Sequence, residues 1–376
     1  MSTRFGRFIL SKKFTYFFLF LMLLSLLLTA YQTERAVSCL LGRPHIWGLS
    51  YIVLGLLNAV VVFYDKLSKT RGRKTTCAVK ILSCFMIYEI MFGTAWFLLA
   101  CLLPIPAVLE AFITILLMLA AIFLVANGRR NAKEVETITY QVRIKGLKHT
   151  RKIVLISDLH LGIFVRTEHV KKVVKEINQM KPDVVVIAGD ILDVDLAILE
   201  DLQELRSIAR ELRKISSTSG VYLALGNHDP SMENKKFRKF LKDSKIRVLH
   251  NSCAELADFY LIGRSDAANN ERKDFADILP IGSIKKPMVL IDHDPQGIRD
   301  AQQMDIPLVL SGHTHRGQFW PMDFFTRCAN GAHFFYGKEQ FGDTQAIISS
   351  GAGYFNLPIR IGSNNEVVQI IITGGK

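Results

Sequence analysis

Asp158 and His160 stand one residue apart just after the apolar run at 153–156. A strand ending in Asp-x-His would present both side chains on one face, because side chains alternate along a strand. A carboxylate oxygen and an imidazole nitrogen held together are the beginning of a metal site. Four further apolar runs end in the same kind of polar cluster. The run at 184–188 leads to Gly189, Asp190 and Asp193, and the run at 221–225 leads to Gly226, Asn227, His228 and Asp229. The run at 289–291 leads to Asp292 and His293, and the run at 308–310 leads to Gly312, His313 and His315. Carboxylate, imidazole and amide-oxygen donors suit Mn, Fe or Zn, and the lack of a cysteine among them argues against a structural zinc site. Two such cations can grip a phosphoryl oxygen, make a hydroxide from water and stabilise both the attacking and the leaving oxygen.

Something must bring these five clusters together. Strands are expected at 153–156, 184–187, 221–224, 289–291, 308–310, 346–349 and 367–372, and helices at about 167–180, 196–215 and 235–243, where apolar residues recur at helical spacing. Alternating strands and helices over 151–376 indicate an α/β domain, preceded by a charged connector at 129–150 with one strand at 137–144. Loops at the carboxyl ends of such strands are where open α/β sheets collect their ligands. The glycines before Asp190, Asn227 and His313 let the chain turn sharply beside an ion or a phosphate.

With the five motifs in this order, residues 150–375 resemble the calcineurin-like metallophosphoesterase superfamily. Within it, the chain is most similar to the small membrane-associated bacterial phosphodiesterases, among which are enzymes that hydrolyse the pyrophosphate of UDP-diacylglucosamine. The resemblance implies two facing β-sheets flanked by helices, an αββα sandwich, with a dinuclear metal centre between the sheet ends. It implies that Asp158, His160 and His315 hold one cation, that Asn227, His293 and His313 hold the other, and that Asp190 bridges them. His228 is then left to act as general acid toward the leaving alkoxide, with Asp193 placed to orient its imidazole.

Several neighbours carry two readings each. Arg316 stands where relatives commonly have Gly, and either contacts a substrate phosphate or faces solvent. Val194 stands where protein Ser/Thr phosphatases carry an Arg, which weakens a phosphoprotein substrate. The aromatic stretch 318–325 is either core packing or a lipid-facing lip. The segment 350–354, with Arg360 just beyond, is either a glycine-rich wall near the phosphate or a plain hairpin. His250 and His333 read as surface or packing residues.

The first third of the chain has a different character. Hydrophobic residues make up 49% of the sequence, and of the net charge of +13 the first 128 residues supply +8. The basic excess therefore belongs mostly to the flanks of apolar segments, which argues against a nucleic-acid partner. Four membrane-spanning helices are expected, at about 14–31, 46–64, 81–103 and 107–127, as a bundle forming a transmembrane domain over 1–128. Lys and Arg gather before the first span, between the second and third, and after the fourth. This pattern predicts a multi-pass protein of the cell (inner) membrane with its N-terminus and catalytic domain in the cytoplasm. Six cysteines without paired spacing suit reduced thiols. Glu89 and Glu110 fall inside spans, where an acid is a functional hypothesis by default; hydrogen bonding to a neighbouring helix is the simpler reading, and Glu110 is close enough to a loop to be interfacial.

Together these observations predict a membrane-anchored, two-metal hydrolase of a phosphodiester or pyrophosphate bond, with the lipid bilayer and a lipid-linked, phosphorylated small molecule as partners. A phosphodiesterase for a soluble nucleotide is the alternative within the enzyme class. A non-catalytic membrane receptor on the same fold would be expected to lack one or more of the metal or acid residues, and none is missing.

Overall fold

The structure is a computed structural model that describes residues 12–42, 52–53, 55–57, 73–268, 271–279 and 286–375. The chain divides into two compact units, Met1–Arg129 with Leu357–Ile359, and Arg130–Asn356 with Arg360–Lys376.

The first unit contains helices α1 (Lys12–Leu41), α2 (Arg73–Leu102) and α3 (Ala107–Asn131). Among the described residues, two stretches are long and apolar enough to cross a membrane: Thr76–Leu102, of mean hydropathy 1.8, and Ala107–Asn131, of mean hydropathy 2.8. At about 1.5 Å per residue either exceeds a hydrocarbon core of about 30 Å. They coincide with the expected spans at 81–103 and 107–127. The expected span at 14–31 lies within α1, and the one at 46–64 falls outside the described residues except for helical positions 52–53 and 55–57. The helices also run further than expected. Arg35, expected in a loop, sits within α1 and pairs with Glu110 of α3 at 3.2 Å. Arg73, Lys74 and Lys80, also expected in a loop, belong to α2.

The second unit is built on two six-stranded sheets. The first runs in the order β1 (Val135–Lys145), β12 (Asn365–Gly375), β2 (Arg151–Ile156), β3 (Val184–Ala188), β4 (Val221–Ala224), β5 (Ile246–Val248). The second runs β10 (Gly337–Phe341), β11 (Thr344–Ile348), β9 (Leu308–Ser311), β8 (Met288–Asp292), β7 (Tyr260–Arg264), β6 (Ser252–Glu255). β2, β3, β4 and β5 are parallel, as are β7, β8, β9 and β11. Both sheets therefore gather strand carboxyl ends along one edge.

The apolar runs explain the layering. Parallel strands covered on both faces need apolar side chains at every position. Ile153 and Leu155 of β2, Val184 and Val186 of β3, Val289 and Ile291 of β8, and Leu308 and Leu310 of β9 join one buried cluster shared by the two sheets. The alternate residues Val154, Ile156, Val185 and Ile187 face outward from the first sheet, and Leu290 and Val309 from the second. The first of these outer faces packs against α4 (Thr167–Gln179), α5 (Leu202–Leu212) and α6 (Lys235–Asp243), and the second against α7 (Ile298–Gln303). The helices follow ordinary amphipathic spacing: α4 buries Val170, Val173, Val174 and Ile177, one stripe of a 3.6-residue helix.

Two expectations need correction. The helix expected over 196–215 is a short 3₁₀ turn at Ala197–Leu199 followed by α5, because the Asp201 side chain accepts from Glu204 N at 3.1 Å and caps a new helix there. The segment 350–354 is not a hairpin. It connects β11 to β12 and bonds to the end of β2, with Ala352 N donating to Ser157 O at 2.8 Å and Gly353 N to Asp158 O at 3.1 Å.

Candidate metal centre

The site assembles at the carboxyl ends of β2, β3, β4, β8 and β9, the sources of Asp158 and His160, Asp190, Asn227, His293, and His313 and His315 respectively. β2 ends at Ile156, so Asp158 and His160 are not neighbours on a pleat as the sequence suggested. Their side chains converge because both residues adopt left-handed backbone, with φ of 50° and 47°. Asp190, His313 and His315 share that conformation at φ 51°, 72° and 51°. Non-glycine residues in this region are strained, and such strain concentrates where function requires a fixed geometry.

Two groups of side chains present donors to common points. In the first, His160 Nε2 lies 3.0 Å from His315 Nε2, and Asp158 Oδ1 lies 3.5 Å from His315 Nε2 and 4.0 Å from His160 Nε2. In the second, Asn227 Oδ1 is 3.1 Å from His293 Nε2 and 3.0 Å from His313 Nδ1, and the two imidazole nitrogens are 3.3 Å apart. Asp190 Oδ2 stands between them, 3.2 Å from His293 Nε2 and 3.8 Å from His160 Nε2. Asp158 faces both groups as well, with Oδ1 4.0 Å from His293 Nε2. Both carboxylates thus occupy the middle of the site.

Backbone is pressed closely around these donors. A Cβ placed on Gly226 would come within 2.2 Å of Asp190 Oδ1, one on Gly312 within 2.3 Å of Asp158 Oδ2, and one on Gly189 within 2.5 Å of His293 Nδ1. Asp229 ties two of the loops, its carboxylate accepting from Gly226 N at 2.9 Å and Leu192 N at 3.2 Å. Burial pushes His160 down to about 3 and His315 well below the ordinary imidazole range, so both rings are neutral, the form that ligates a cation. Burial raises Asp158. It would raise Asp190 too, but the charge and hydrogen bond of His293 outweigh it and hold that carboxyl well below its usual range. Oxygen and imidazole donors without thiolate, converging in a tightly built pocket, fit two divalent cations.

The remaining candidates divide. His228 is 23% exposed, its backbone N–H donates to Asp190 Oδ1 at 2.9 Å, and its Nε2 is 3.9 Å from Asp190 Oδ2. Asp193 Oδ1 lies 3.8 Å from His160 Nδ1 and accepts from Val194 N at 2.9 Å. Arg316 stacks its guanidinium 4.5 Å over the Tyr336 ring, and Tyr336 in turn donates to Glu366 Oε2 at 2.8 Å. Arg360 is a correction. It is 0% exposed, and its guanidinium donates to His315 O, Ser350 O, Gly353 O, Asn365 Oδ1 and Ser363 Oγ, which leaves no face for a substrate. It fastens the 350–354 loop beneath the site instead. His250 bonds to Ser265 and Glu271, and His333 to Glu339, so both are surface residues held by local pairing.

Phe355 was not singled out from the sequence. Its ring stacks on His228, with centroids 5.1 Å apart and planes 15° apart, and also meets His160 at 5.2 Å. The buried Gln318 amide brackets its backbone, accepting from Phe355 N at 2.7 Å and donating to Phe355 O at 2.9 Å. The stretch after it is not core: Trp320, Met322, Phe324 and Phe325 are exposed, and the helix α8 (Met322–Asn330) buries no residue.

Comparison with known proteins identifies related chains. The family model for calcineurin-like phosphoesterase matches residues 151–317. An uncharacterized metallophosphoesterase of Helicobacter pylori is 34% identical over 225 residues, which cover 58% of this chain and 59% of the relative. The uncharacterized metallophosphoesterase Cj0846 of Campylobacter jejuni is 31% identical over 267 residues, 69% of each chain. A transmembrane protein with metallophosphoesterase domain from Danio rerio is 32% identical over 238 residues, 59% of this chain and 53% of the relative. The chain thus spans about three fifths of the length of the Helicobacter relative. Since the match to the Campylobacter protein exceeds two thirds of that protein's length, the chain belongs to the calcineurin-like phosphoesterase family.

Proposed function

We propose that the protein is a membrane-anchored phosphoesterase that uses two divalent cations to hydrolyse a phosphodiester or pyrophosphate bond, with a lipid-linked molecule as substrate. The observation that carries this reading is the convergence of two donor sets on points separated only by the Asp158 and Asp190 carboxylates. Asp158, His160 and His315 would hold one cation, Asn227, His293 and His313 the other, and Asp190 would serve both. When bound, the cations supply the Lewis acidity that polarises the phosphoryl group and activates the attacking water.

The chain supplies the rest. His228 lies at the rim of the donor cluster and is the one site imidazole left to protonate a leaving oxygen. Phe355 stacks on that ring, whereas Asp193, expected to orient it, faces His160 Nδ1 at 3.8 Å and would steady that ligand instead. Arg316, fixed on Tyr336, offers a cation to a substrate phosphate. The lipid-linked class is supported by the exposed Trp320, Met322, Phe324 and Phe325 following the His315 loop, by the apolar helices α2 and α3, and by the name of the Danio rerio relative. A cytoplasmic catalytic unit is the orientation that the Lys and Arg clusters flanking the apolar segments favour.

The full-length protein tests the reading on bis-p-nitrophenyl phosphate and on a lipid pyrophosphate, with Mn²⁺ and after chelation. Asn227→Ala should lose cation and turnover together, whereas His228→Ala should keep its cations and lose kcat. Absence of cation-dependent turnover on either substrate refutes the enzyme. Turnover on nucleotide diesters alone refutes the lipid-linked class. An Ala267→Cys variant free of other cysteines should escape an impermeant thiol reagent in intact cells; labelling would reverse the orientation.

A further inference from the structure

The first unit contains a second built polar site that the phosphoesterase reading does not use. Glu89 sits midway along α2, only 3% exposed, and among the described residues its Oε1 has no hydrogen-bond partner. It differs sharply from Glu110, which pairs with Arg35. Glu89 opens onto a small cavity lined also by Thr29, Gln32 and Thr33 of α1, Gly93 and Trp96 of α2, and Thr114 of α3. About 10 Å³ of it is open to the centre of a water molecule, which is room for about one. Trp96 is 7% exposed, and its Nε1 also lacks a partner.

The surroundings are held in place around these two groups. A Cβ on Gly93 would lie 2.7 Å from Thr29, so this glycine lets α1 and α2 approach closely. The Gln32 amide spans the same contact, donating to Gly93 O at 2.7 Å and accepting from Phe97 N at 2.9 Å. Thr33 Oγ1 donates to Thr29 O and Thr114 Oγ1 to Glu110 O, so both hydroxyls are committed as donors and keep lone pairs available. Among the described residues, the walls from α1, α2 and α3 contribute no charged group other than Glu89.

We propose that Glu89 is a proton-binding site within the apolar unit, sharing one water with the Trp96 indole. The water accepts from Trp96 Nε1–H and donates to Glu89 Oε1. Among the described residues no cation faces a carboxylate in this cavity, and burying such an unpaired charge is far more costly than burying the neutral acid. A metal cation is disfavoured at the same point by the indole N–H, which directs its hydrogen inward. The inference rests on the membrane reading of α2 and α3 but not on the phosphoesterase reading.

The test treats the full-length protein, in membranes and in detergent, with the hydrophobic carbodiimide dicyclohexylcarbodiimide and maps adducts by mass spectrometry. A protonated carboxyl adds across the carbodiimide, giving its proton to one nitrogen and its oxygen to the central carbon, and then rearranges to a stable N-acylurea with no leaving group. The expected result is one adduct, on Glu89 and not on Glu110, that declines at alkaline pH, together with a protonated-carboxyl infrared band that Glu89→Gln removes. No adduct at Glu89, or an adduct insensitive to pH, overturns the proposal. Equal labelling by a water-soluble carbodiimide overturns it by a separate route, showing that the helices are not in a bilayer. The wild-type adduct map decides the matter even if Glu89→Gln fails to accumulate.

Discussion

The ring of Phe355 lies 15° from parallel to that of His228, with their centroids 5.1 Å apart. Gln318 clamps the Phe355 backbone from both sides, so the stack is anchored to the loop that follows His315. An acid that must deliver a proton to one oxygen depends on its ring direction, and small misplacements of a catalytic group cost up to about 100-fold. Phe355→Ala should therefore lower kcat by about 10- to 100-fold with little change in KM, and Phe355→Tyr, which keeps the ring, should restore most of it. Steady-state kinetics with cation content held equal checks this. A rise in KM at unchanged kcat would mean that Phe355 contacts substrate instead.

The glycines around the donors make a second claim. A methyl group at Gly226 or Gly312 meets a carboxylate oxygen at 2.2 or 2.3 Å, and neither Asp190 nor Asp158 can move without leaving its partners. Gly226→Ala and Gly312→Ala should weaken cation binding by about 10- to 100-fold, as disturbed support of ligands does elsewhere. Metal analysis after dialysis against graded chelator measures it, and a melting curve of the chelated protein separates ligation from folding. Full cation content in both variants would mean that Asp158 and Asp190 are not the ligands.

How much of this was legible depended on how local the signal was. β3, β4, β8 and β9, and β2 from Ile153 onward, are buried on both faces, so each reads as an apolar run whose end marks a site residue. The edge strands of the second sheet carry no such signal. β6 is Ser-Cys-Ala-Glu and β10 is Gly-Lys-Glu-Gln-Phe, and both form by pairing with a neighbour rather than by their own pattern. α8 buries nothing and so has no buried stripe to betray it. In the site, Asp and His announced themselves by type and spacing. Phe355 and Arg360 act through contacts made by distant loops, which no local pattern encodes; Arg360 was placed near the phosphate only because it follows a glycine-rich stretch.

Arg360 and Arg316 now make opposite predictions. The Arg360 guanidinium serves five protein oxygens in full burial, where desolvation pushes it down to about 10 while leaving it charged at neutral pH. Lysine cannot reproduce that fork. Arg360→Lys should cost about 2–4 kcal/mol of stability, since each stranded buried carbonyl costs about 1–3 kcal/mol, and leave KM of the folded fraction unchanged. Arg316→Ala should leave the melting curve in place and raise KM about 10-fold if the residue grips a phosphate. Denaturant titration and kinetics on the same preparations read both.

At the opposite edge of the sheets, Asp258 joins them through charge. His149 Nδ1 donates to its Oδ1 at 2.9 Å, and Arg151 Nε, at the start of β2, donates to its Oδ2 at 2.6 Å. The carboxylate is only 4% exposed, and the His149 hydrogen bond, followed by the bond and charge of Arg151, holds it below the usual carboxyl range against the cost of burial. A carboxyl lowered in the folded state stabilises fully above its unfolded pKa of about 3.9, and the contribution disappears as pH falls through the lower folded value. Asp258→Asn should thus be less stable than wild type by about 1–3 kcal/mol at neutral pH, with the gap closing below about pH 4. Acid also strips cations from imidazole and carboxylate ligands, but it does so in both proteins, so the difference between their urea midpoints isolates Asp258. A gap that stays constant from neutral to acid pH would show that shape rather than charge is what Asp258 contributes.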